Sequence, residues 1–227
     1  MASAEHDLIE IERKFDVDDG FVLPDLAGPG GVTLAPAEVW RLSATYFDTG
    51  DLQLAAAHIT LRRRTGGTDA GWHIKLPVDA DTRRERHFPL GLAAPSAGSP
   101  GAGQAQAAGP GPVSVPGPVA AEVAQWTQGA PLRPVARLET TRTVRRLAGP
   151  DGQILAEVAD DQVTGSRPDP ADPATWRQSD AWRELEVELV GGDRGLLARV
   201  AGQLVAAGAR PSRSPSKLAR VLGTGPR

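Results

Sequence analysis

Several stretches of this chain alternate charged and apolar side chains with a period of two, which restricts it to a sheet with two unlike faces. Along Leu8-Ile9-Glu10-Ile11-Glu12-Arg13-Lys14-Phe15, an extended backbone puts Glu10, Glu12 and Lys14 on one face and Ile9, Ile11 and Phe15 on the other. Trp182–Val190 repeats the pattern more cleanly, with Glu184, Glu186 and Glu188 opposite Leu185, Val187 and Leu189. An ordinary half-buried strand with its polar face in water shows the same alternation. Later strands, however, carry charges that complement the first. Arg62 and Arg64 oppose Ile59 and Leu61, His73 and Lys75 oppose Trp72, Ile74 and Leu76, and Arg83, Glu85 and His87 share a face of Thr82–Leu90.

Turn and helix signals fill in the rest. Asp18–Leu26 is expected as a short turn or helix, Gly28–Gly31 as a loop, and Pro36–Leu42 as a short helix with proline at its start. Ser43–Asp48 reads as a strand, Leu52–Ala57 as a helical turn and Gly66–Gly71 as a hairpin connection. Ala93–Pro118, rich in Pro, Gly, Ala and Ser and without periodicity, reads as a surface loop, and Val119–Gln128 as a short amphipathic helix. Pro134–Leu147 and Gln153–Val163 make a long hairpin whose second arm sets Glu157 and Asp161 against Ile154 and Val158. Arg167–Ala181 reads as another loop, and Asp193 as the cap of a helix ended by Gly208. Together these predict an α+β, mainly β fold of about eight strands with short flanking helices: an antiparallel β-barrel or a strongly curved sheet. One domain is expected over residues 1–227, with its core at about 6–222.

If that sheet closes, its charged faces line a common tunnel. The tunnel would then hold Glu10, Glu12, Lys14, Arg62, Arg64, Lys75, Arg83, Glu85, Glu157, Glu184, Glu186 and Glu188, with His73 and Asp161 beside them. Two carboxylates about 4 Å apart repel by roughly 4 kcal/mol at an effective dielectric of 20, so the glutamates call for cations. Converging Arg and Lys in turn call for an anion, and phosphate oxygens fit the guanidinium fork. Mg²⁺ and Mn²⁺ favour carboxylates together with substrate phosphates. A metal-complexed polyphosphate answers both charge sets at once.

Composition narrows the partners. A net charge of -3 argues against a protein that coats nucleic acid by bulk electrostatics. No apolar run is long enough to span a membrane, and the acidic start is not a signal peptide, so a cytoplasmic protein is expected. The absence of cysteine excludes disulfides, thiolate metal sites and a cysteine nucleophile. Of 25 basic residues only Lys14, Lys75 and Lys217 are lysine, which suggests positions that require a compact ammonium. Trp72, Trp126, Trp176 and Trp182 are better explained by core packing or loop anchoring than by base stacking.

Glu10-Ile-Glu12-Arg-Lys14 resembles the ExExK signature of the CYTH domain, the triphosphate tunnel metalloenzyme superfamily. The likeness continues through Tyr46-Phe47-Asp48-Thr49, Leu61-Arg62-Arg63-Arg64, the Lys75 strand, Arg83-Arg84-Glu85, Thr141-Arg142, the Glu184/Glu186/Glu188 strand and Ser216-Lys217-Leu218-Ala219-Arg220. It implies an eight-stranded antiparallel β-barrel with short flanking helices, whose tunnel houses the site of a metal-dependent triphosphatase acting on inorganic triphosphate or a related triphosphate-containing small molecule. An ATP cyclase and a non-catalytic polyphosphate or nucleotide binder are the alternatives. It further implies Mg²⁺ or Mn²⁺ on Glu10, Glu12, Glu184, Glu186 and Glu188, and phosphates gripped by Arg62, Arg64, Lys75, Arg83, Arg142 and Lys217. Glu10, Glu12, Lys14 and Lys75 would be catalytic, with Glu85, Glu157, Asp161 and His73 as further lining. Bacterial members often continue into a helical C-terminal domain; the expectation here is the stand-alone form, as a monomer or homodimer. His87 stands where many members have a glutamate.

Overall fold

Eight long antiparallel strands close on themselves in the computed structural model, which describes residues 6–28, 32–92 and 113–224. They are β1 (His6–Val17), β3 (Glu38–Asp48), β4 (Thr60–Thr65), β5 (Gly71–Pro77), β6 (Thr82–Phe88), β7 (Arg133–Ala148), β8 (Ile154–Pro168) and β9 (Trp176–Leu189). Two-residue strands β2 (Thr33–Leu34) and β10 (Arg210–Pro211) add to β7 and β1. Closure rests on β1. Its first half, His6–Ile11, pairs with β6, and its second half, Glu12–Val17, pairs with β9.

The apolar faces turn outward and are covered there. Helix α3 (Arg194–Ala206) lays Leu196, Leu197, Val200 and Leu204 on Phe15, Val17, Val158, Leu185 and Val187. Its start is set by Asp193, whose side chain accepts from the Leu196 backbone N–H at 2.7 Å. On the opposite wall, α1 (Gln53–Ala56) and α2 (Gly117–Thr127) bring Leu54, Val119 and Val123 onto Phe47, Leu61, Trp72, Ile74 and Phe88. Each such large side chain, fully buried, contributes about 1.5–3 kcal/mol. The fully buried Asp48 carboxylate fixes the approach to α1 by accepting from the backbone N–H groups of Thr49 (2.7 Å), Leu54 (2.9 Å) and Ala55 (2.9 Å).

A third apolar cluster lies inside the barrel. Helix α4 (Lys217–Leu222), capped by Ser216, packs Leu218 and Val221 against Tyr46, Leu138, Val163 and Trp182. These four continue the tunnel-facing rows of their strands: Trp182 lies two residues before Glu184, and Val163 two after Asp161. One end of the tunnel is therefore stoppered by hydrocarbon, and Lys217 at the start of α4 is carried to the charged interior.

Two expectations are corrected, and for Asp18–Leu26, expected as a turn or a helix, the turn is found. Pro36–Leu42 is not a helix; from Glu38 onward it is the first half of β3, paired with β7 from Glu38↔Val144. Glu38, Trp40 and Leu42 continue the two-residue period of Ala44 and Tyr46, and a full ladder outweighs the helix-start signal of Pro36. Asp18–Leu26 forms a turn and extended chain with no helix. Arg167–Ala181 is mostly strand, since β8 runs to Pro168 and β9 begins at Trp176. Side-chain contacts reward the extension: Arg137 stacks on the Trp176 ring at 4.2 Å, and Arg177 bonds Asp169 at 2.8 Å. Of the expected Ala93–Pro118 loop, residues 93–112 lie outside the described residues, and its last two already belong to α2.

The stopper is tight at one glycine. A Cβ on Gly165 would lie 2.5 Å from Val221 Cγ2 and 3.3 Å from the Trp182 ring. Gly165→Ala should therefore lower stability by about 1–3 kcal/mol in urea unfolding, and adding Val221→Ala should return part of that loss. Equal stability of wild type and Gly165→Ala would show that α4 does not pack inside the barrel end.

Candidate functional site

Period-two alternation delivers every sequence-expected charged strand residue to the inner face, and register determines which charges meet. Across β1 and β9, Glu12 faces Glu188, Lys14 faces Glu186 and Asp16 faces Glu184. Across β5 and β6, Lys75 faces Glu85 and His73 faces His87. Arg62 lies opposite His73 on one side and Tyr46 on the other. Arg142 lies opposite Asp161, and Arg146 opposite Glu157. The cavity is about 320 Å³ and is lined by most of these residues with Trp40, Arg83 and Lys217, while Asp161, Glu184 and His73 lie buried behind the lining.

The interior divides into two charge environments. In the first, the carboxylates of Asp161, Glu184 and Glu186 offer oxygens all within 4.8 Å of one another, an arrangement that could hold a metal ion. Cations already surround it. The Lys217 ammonium lies 2.9 Å from Asp161, 2.6 Å from Glu184 and 2.7 Å from Glu186. Arg142 grips both Asp161 oxygens, at 2.8 and 2.6 Å, and reaches Glu186 at 2.5 Å, while Lys14 bonds Glu186 on its other side. Burial disfavours charge on all these groups, but their mutual attraction wins: Lys217 and Arg142 are held well above their ordinary values, and Glu186 well below its own. Three carboxylates meet three cations, and the cluster is balanced.

The second environment is not balanced. Lys75 contacts Glu10 at 2.5 Å, and Lys14 contacts Glu12 at 3.1 Å. Glu188 makes no ion pair among the described residues. Burial, followed by the charges of Glu10 and Glu12, pushes its carboxyl up to about 7. Glu10 is also raised, by burial first and with Glu85 adding to it against the pull of Lys75. Oxygen ligands in excess of nearby positive charge suit a hard divalent ion, so Glu10, Glu12 and Glu188 could hold one.

Beside this carboxylate edge the sign reverses. Arg62 and Arg64 are buried, and the Nε of each has no hydrogen-bond partner among the described residues. Burial and the charges of Arg62 and Arg142 push Arg64 down to about 9. An added anion would relieve both effects. Arg62 has only the Tyr46 hydroxyl at 3.4 Å and Glu85 at 3.7 Å, and Arg64 is met at its outer edge by Asp69 of the β4–β5 hairpin. Burial raises Glu85, yet Lys75 and the neighbouring arginines bring it down to about 2, so it remains a carboxylate. His73 places Nδ1 2.8 Å from Glu85 and Nε2 2.9 Å from the Asp69 carbonyl. Two acceptors ask for two ring protons. Burial and the charges of Arg62 and Arg64 oppose the second, and we take the ring as neutral.

Of the expected site residues, Glu10, Glu12, Lys14, Arg62, Arg64, Lys75, Arg83, Glu85, Arg142, Glu157, Glu186, Glu188 and Lys217 line the cavity, and Asp161, Glu184 and His73 are buried beside it. Arg83 is drawn to the Pro215 carbonyl at 3.3 Å, and Glu157 forms an outer pair with Arg146 at 2.8 Å. Sequence reasoning missed Tyr46, Asp69, Trp40 and the indole of Trp182, which donates to Glu184 at 2.5 Å. Tyr46 and Trp182 were within reach, since each shares the parity of a tunnel row. Asp69 was not, because a loop residue has no period.

The comparisons with known proteins agree with this geometry. The CYTH domain family model matches residues 8–221. Two uncharacterized proteins of Mycobacterium tuberculosis, from strains CDC 1551 / Oshkosh and ATCC 25618 / H37Rv, are each 40% identical over 226 residues, covering 95% of this chain. The chain spans 40% of the length of these relatives. Among solved structures, a Bacillus halodurans protein provisionally named an adenylate cyclase aligns with a TM-score of 0.53 at 17% identity, over 94% of this chain and 97% of its own. A Hippeastrum protein, provisionally named an adenylyl cyclase and described as showing a dominant triphosphatase activity, aligns at 0.52 and 14% identity, over 98% of each chain. At these identities the structures attest the fold alone. No helix among the described residues is long and apolar enough to cross a membrane. By its family match over nearly the whole chain and its closed, charge-lined barrel, this chain belongs to the CYTH domain family, enzymes that act on triphosphates.

Proposed function

We propose that the chain is a divalent-metal-dependent triphosphatase, one catalytic domain that removes the terminal phosphate of inorganic triphosphate or a related triphosphate. The observation that carries this reading is the juxtaposition of two buried, under-partnered guanidiniums, Arg62 and Arg64, with a carboxylate edge of Glu10, Glu12 and Glu188 that has too few cations. A polyphosphate alone would answer the first and not the second.

Arg62 and Arg64 bind phosphate oxygens, with their Nε and terminal N–H groups donating. Lys75 and Lys14, already at the carboxylate edge, border both sets and offset charge that develops on the breaking P–O–P bridge. Arg142 and Lys217 hold Asp161, Glu184 and Glu186 in place and so keep the phosphate side from facing those carboxylates. Glu10, Glu12 and Glu188 would hold Mg²⁺ or Mn²⁺, which when bound neutralises phosphate charge and makes water more acidic. Water attacks the terminal phosphorus, the bridging P–O bond breaks, and a tunnel glutamate takes the water proton. A cyclase would use the same grip and direct a ribose hydroxyl instead. Measuring phosphate release from tripolyphosphate, ATP and thiamine triphosphate with Mg²⁺ or Mn²⁺, alongside cyclic AMP, separates the two. Cyclic AMP without phosphate release would overturn the hydrolase reading.

Two predictions follow the division of charge. Arg62→Ala should cost about 2–3 kcal/mol of substrate binding, read as a rise of roughly 30- to 150-fold in KM. Glu12→Gln should instead lower kcat while metal-free tripolyphosphate binding, followed by calorimetry, holds or tightens. Wild-type turnover by Glu12→Gln at saturating metal would exclude that glutamate from the ion.

Glu188 gives a pH signature. Its carboxyl sits at about 7 in the folded protein against an ordinary 4.5, so the folded state binds the extra proton between those values. Stability from this group is complete below pH 4.5 and is lost as pH rises through 7. Removing the charge with Glu188→Gln should therefore stabilise metal-free protein at pH 8 by on the order of 2–3 kcal/mol, read as a higher Tm, and leave the Tm unchanged at pH 4. The same variant should bind Mn²⁺ more weakly at pH 8. An unchanged Tm at pH 8 would show that Glu188 is not held among uncompensated carboxylates.

A further inference from the structure

Each of the described tryptophans except one has an evident structural partner. Trp72 and Trp126 belong to the apolar cluster under α1 and α2, Trp182 to the stopper cluster with Arg220 over its ring at 4.6 Å, and Trp176 lies beneath Arg137. Trp40 belongs to none of the three apolar clusters and stacks with no described ring or cation. It is half-buried, and it lines the charged cavity from the inner face of β3, directly across from Arg142.

Apolar side chains stand next to charged ones at this level of the cavity. Val144 is the tunnel-facing residue after Arg142 on β7, and Leu8 the one before Glu10 on β1; both line the same cavity. Leu8 is 56% exposed. Trp40, Val144 and Leu8 are thus apolar positions of the wall on the side of Arg142 and Glu10 away from the α4 stopper, with the pairs of Arg146 to Glu38 and Glu157 beyond them. Inorganic triphosphate presents only oxygens and charge, and gains nothing from an indole or from hydrocarbon. A flat aromatic group attached to the phosphate chain would gain from both, because stacking on tryptophan is tolerant of the ring's identity.

We propose that Trp40 is the specificity-determining residue for organic triphosphates: it stacks on the planar aromatic group of the substrate while Arg62 and Arg64 hold the phosphates. This rests on the triphosphate-binding reading above and narrows its substrate class to an aromatic-bearing triphosphate. A purine base and a thiamine ring share the required chemistry, and the experiment distinguishes them.

Binding of three probes is measured by calorimetry on wild type, Trp40→Ala and Trp40→Phe: the non-hydrolysable ATP analogue adenylyl imidodiphosphate, thiamine triphosphate, and inorganic tripolyphosphate. Trp40→Ala should weaken at least one organic probe about tenfold and tripolyphosphate by less than about twofold, and Trp40→Phe should restore most of the loss. A loss confined to one organic probe supports the proposal and identifies the aromatic group. Equal loss on all three probes, or no loss on either organic one, overturns it. Phosphate release from tripolyphosphate, ATP and thiamine triphosphate by wild type is recorded in parallel. Its absence with all three would count against the triphosphatase reading alone, since the binding comparison still decides the role of Trp40.

Discussion

A charge enclosed by a closed barrel must find its counter-charge within reach, and much of this interior follows from that requirement. Buried charges are poorly screened, so most carboxylates on one strand meet a cation on another, and Glu188 is left without one among the described residues. Register supplies the match: Arg142 falls opposite Asp161, Lys14 opposite Glu186 and Lys75 opposite Glu85. Where chain geometry brings three carboxylates together, α4 delivers Lys217 to their centre. Such pairs are poor sources of stability, because desolvation cancels most of their attraction and apolar residues of similar volume would often do as well. A chain that retains so many of them inside is using them for something other than holding its fold.

The fold is held elsewhere. Two apolar clusters lie outside the barrel wall, under α3 and under α1 with α2, and a third closes one end around α4. This inverts the usual barrel, whose hydrocarbon sits in the middle. It also separates two kinds of damage: substitutions on the outer face or in the α4 stopper act through packing, and those among the charged residues of the inner face act through electrostatics with little loss of hydrocarbon contact.

The parts of this architecture legible in the sequence are those with a period. Glu10, Glu12, Lys14, Glu184, Glu186 and Glu188 reveal a shared face by alternation alone, and the barrel follows from needing to bury the opposite faces. Alternation says which face a side chain takes but not which partner it meets. The split of the five glutamates into a neutralised pair, Glu184 and Glu186, and the under-compensated Glu10, Glu12 and Glu188 depends on strand stagger and on Lys217 arriving from a separate helix. Pro36–Leu42 failed for a related reason. A proline before a short mixed stretch is a local helix signal, and the ladder to β7 that overrides it lies about a hundred residues further along the chain.

The double pairing of β1 has a consequence for how the molecule is made. Lys14 and Glu186, bonded across the closing seam, are 172 positions apart. During synthesis β1 leaves the ribosome long before β9 exists, and half of its hydrogen-bonding edge must wait with no partner. Contacts of such long range make closure a late and slow event. Until then the nascent chain exposes an open strand edge and a half-built charged interior, a form suited to holding by a chaperone and prone to pairing with its neighbours on a polysome.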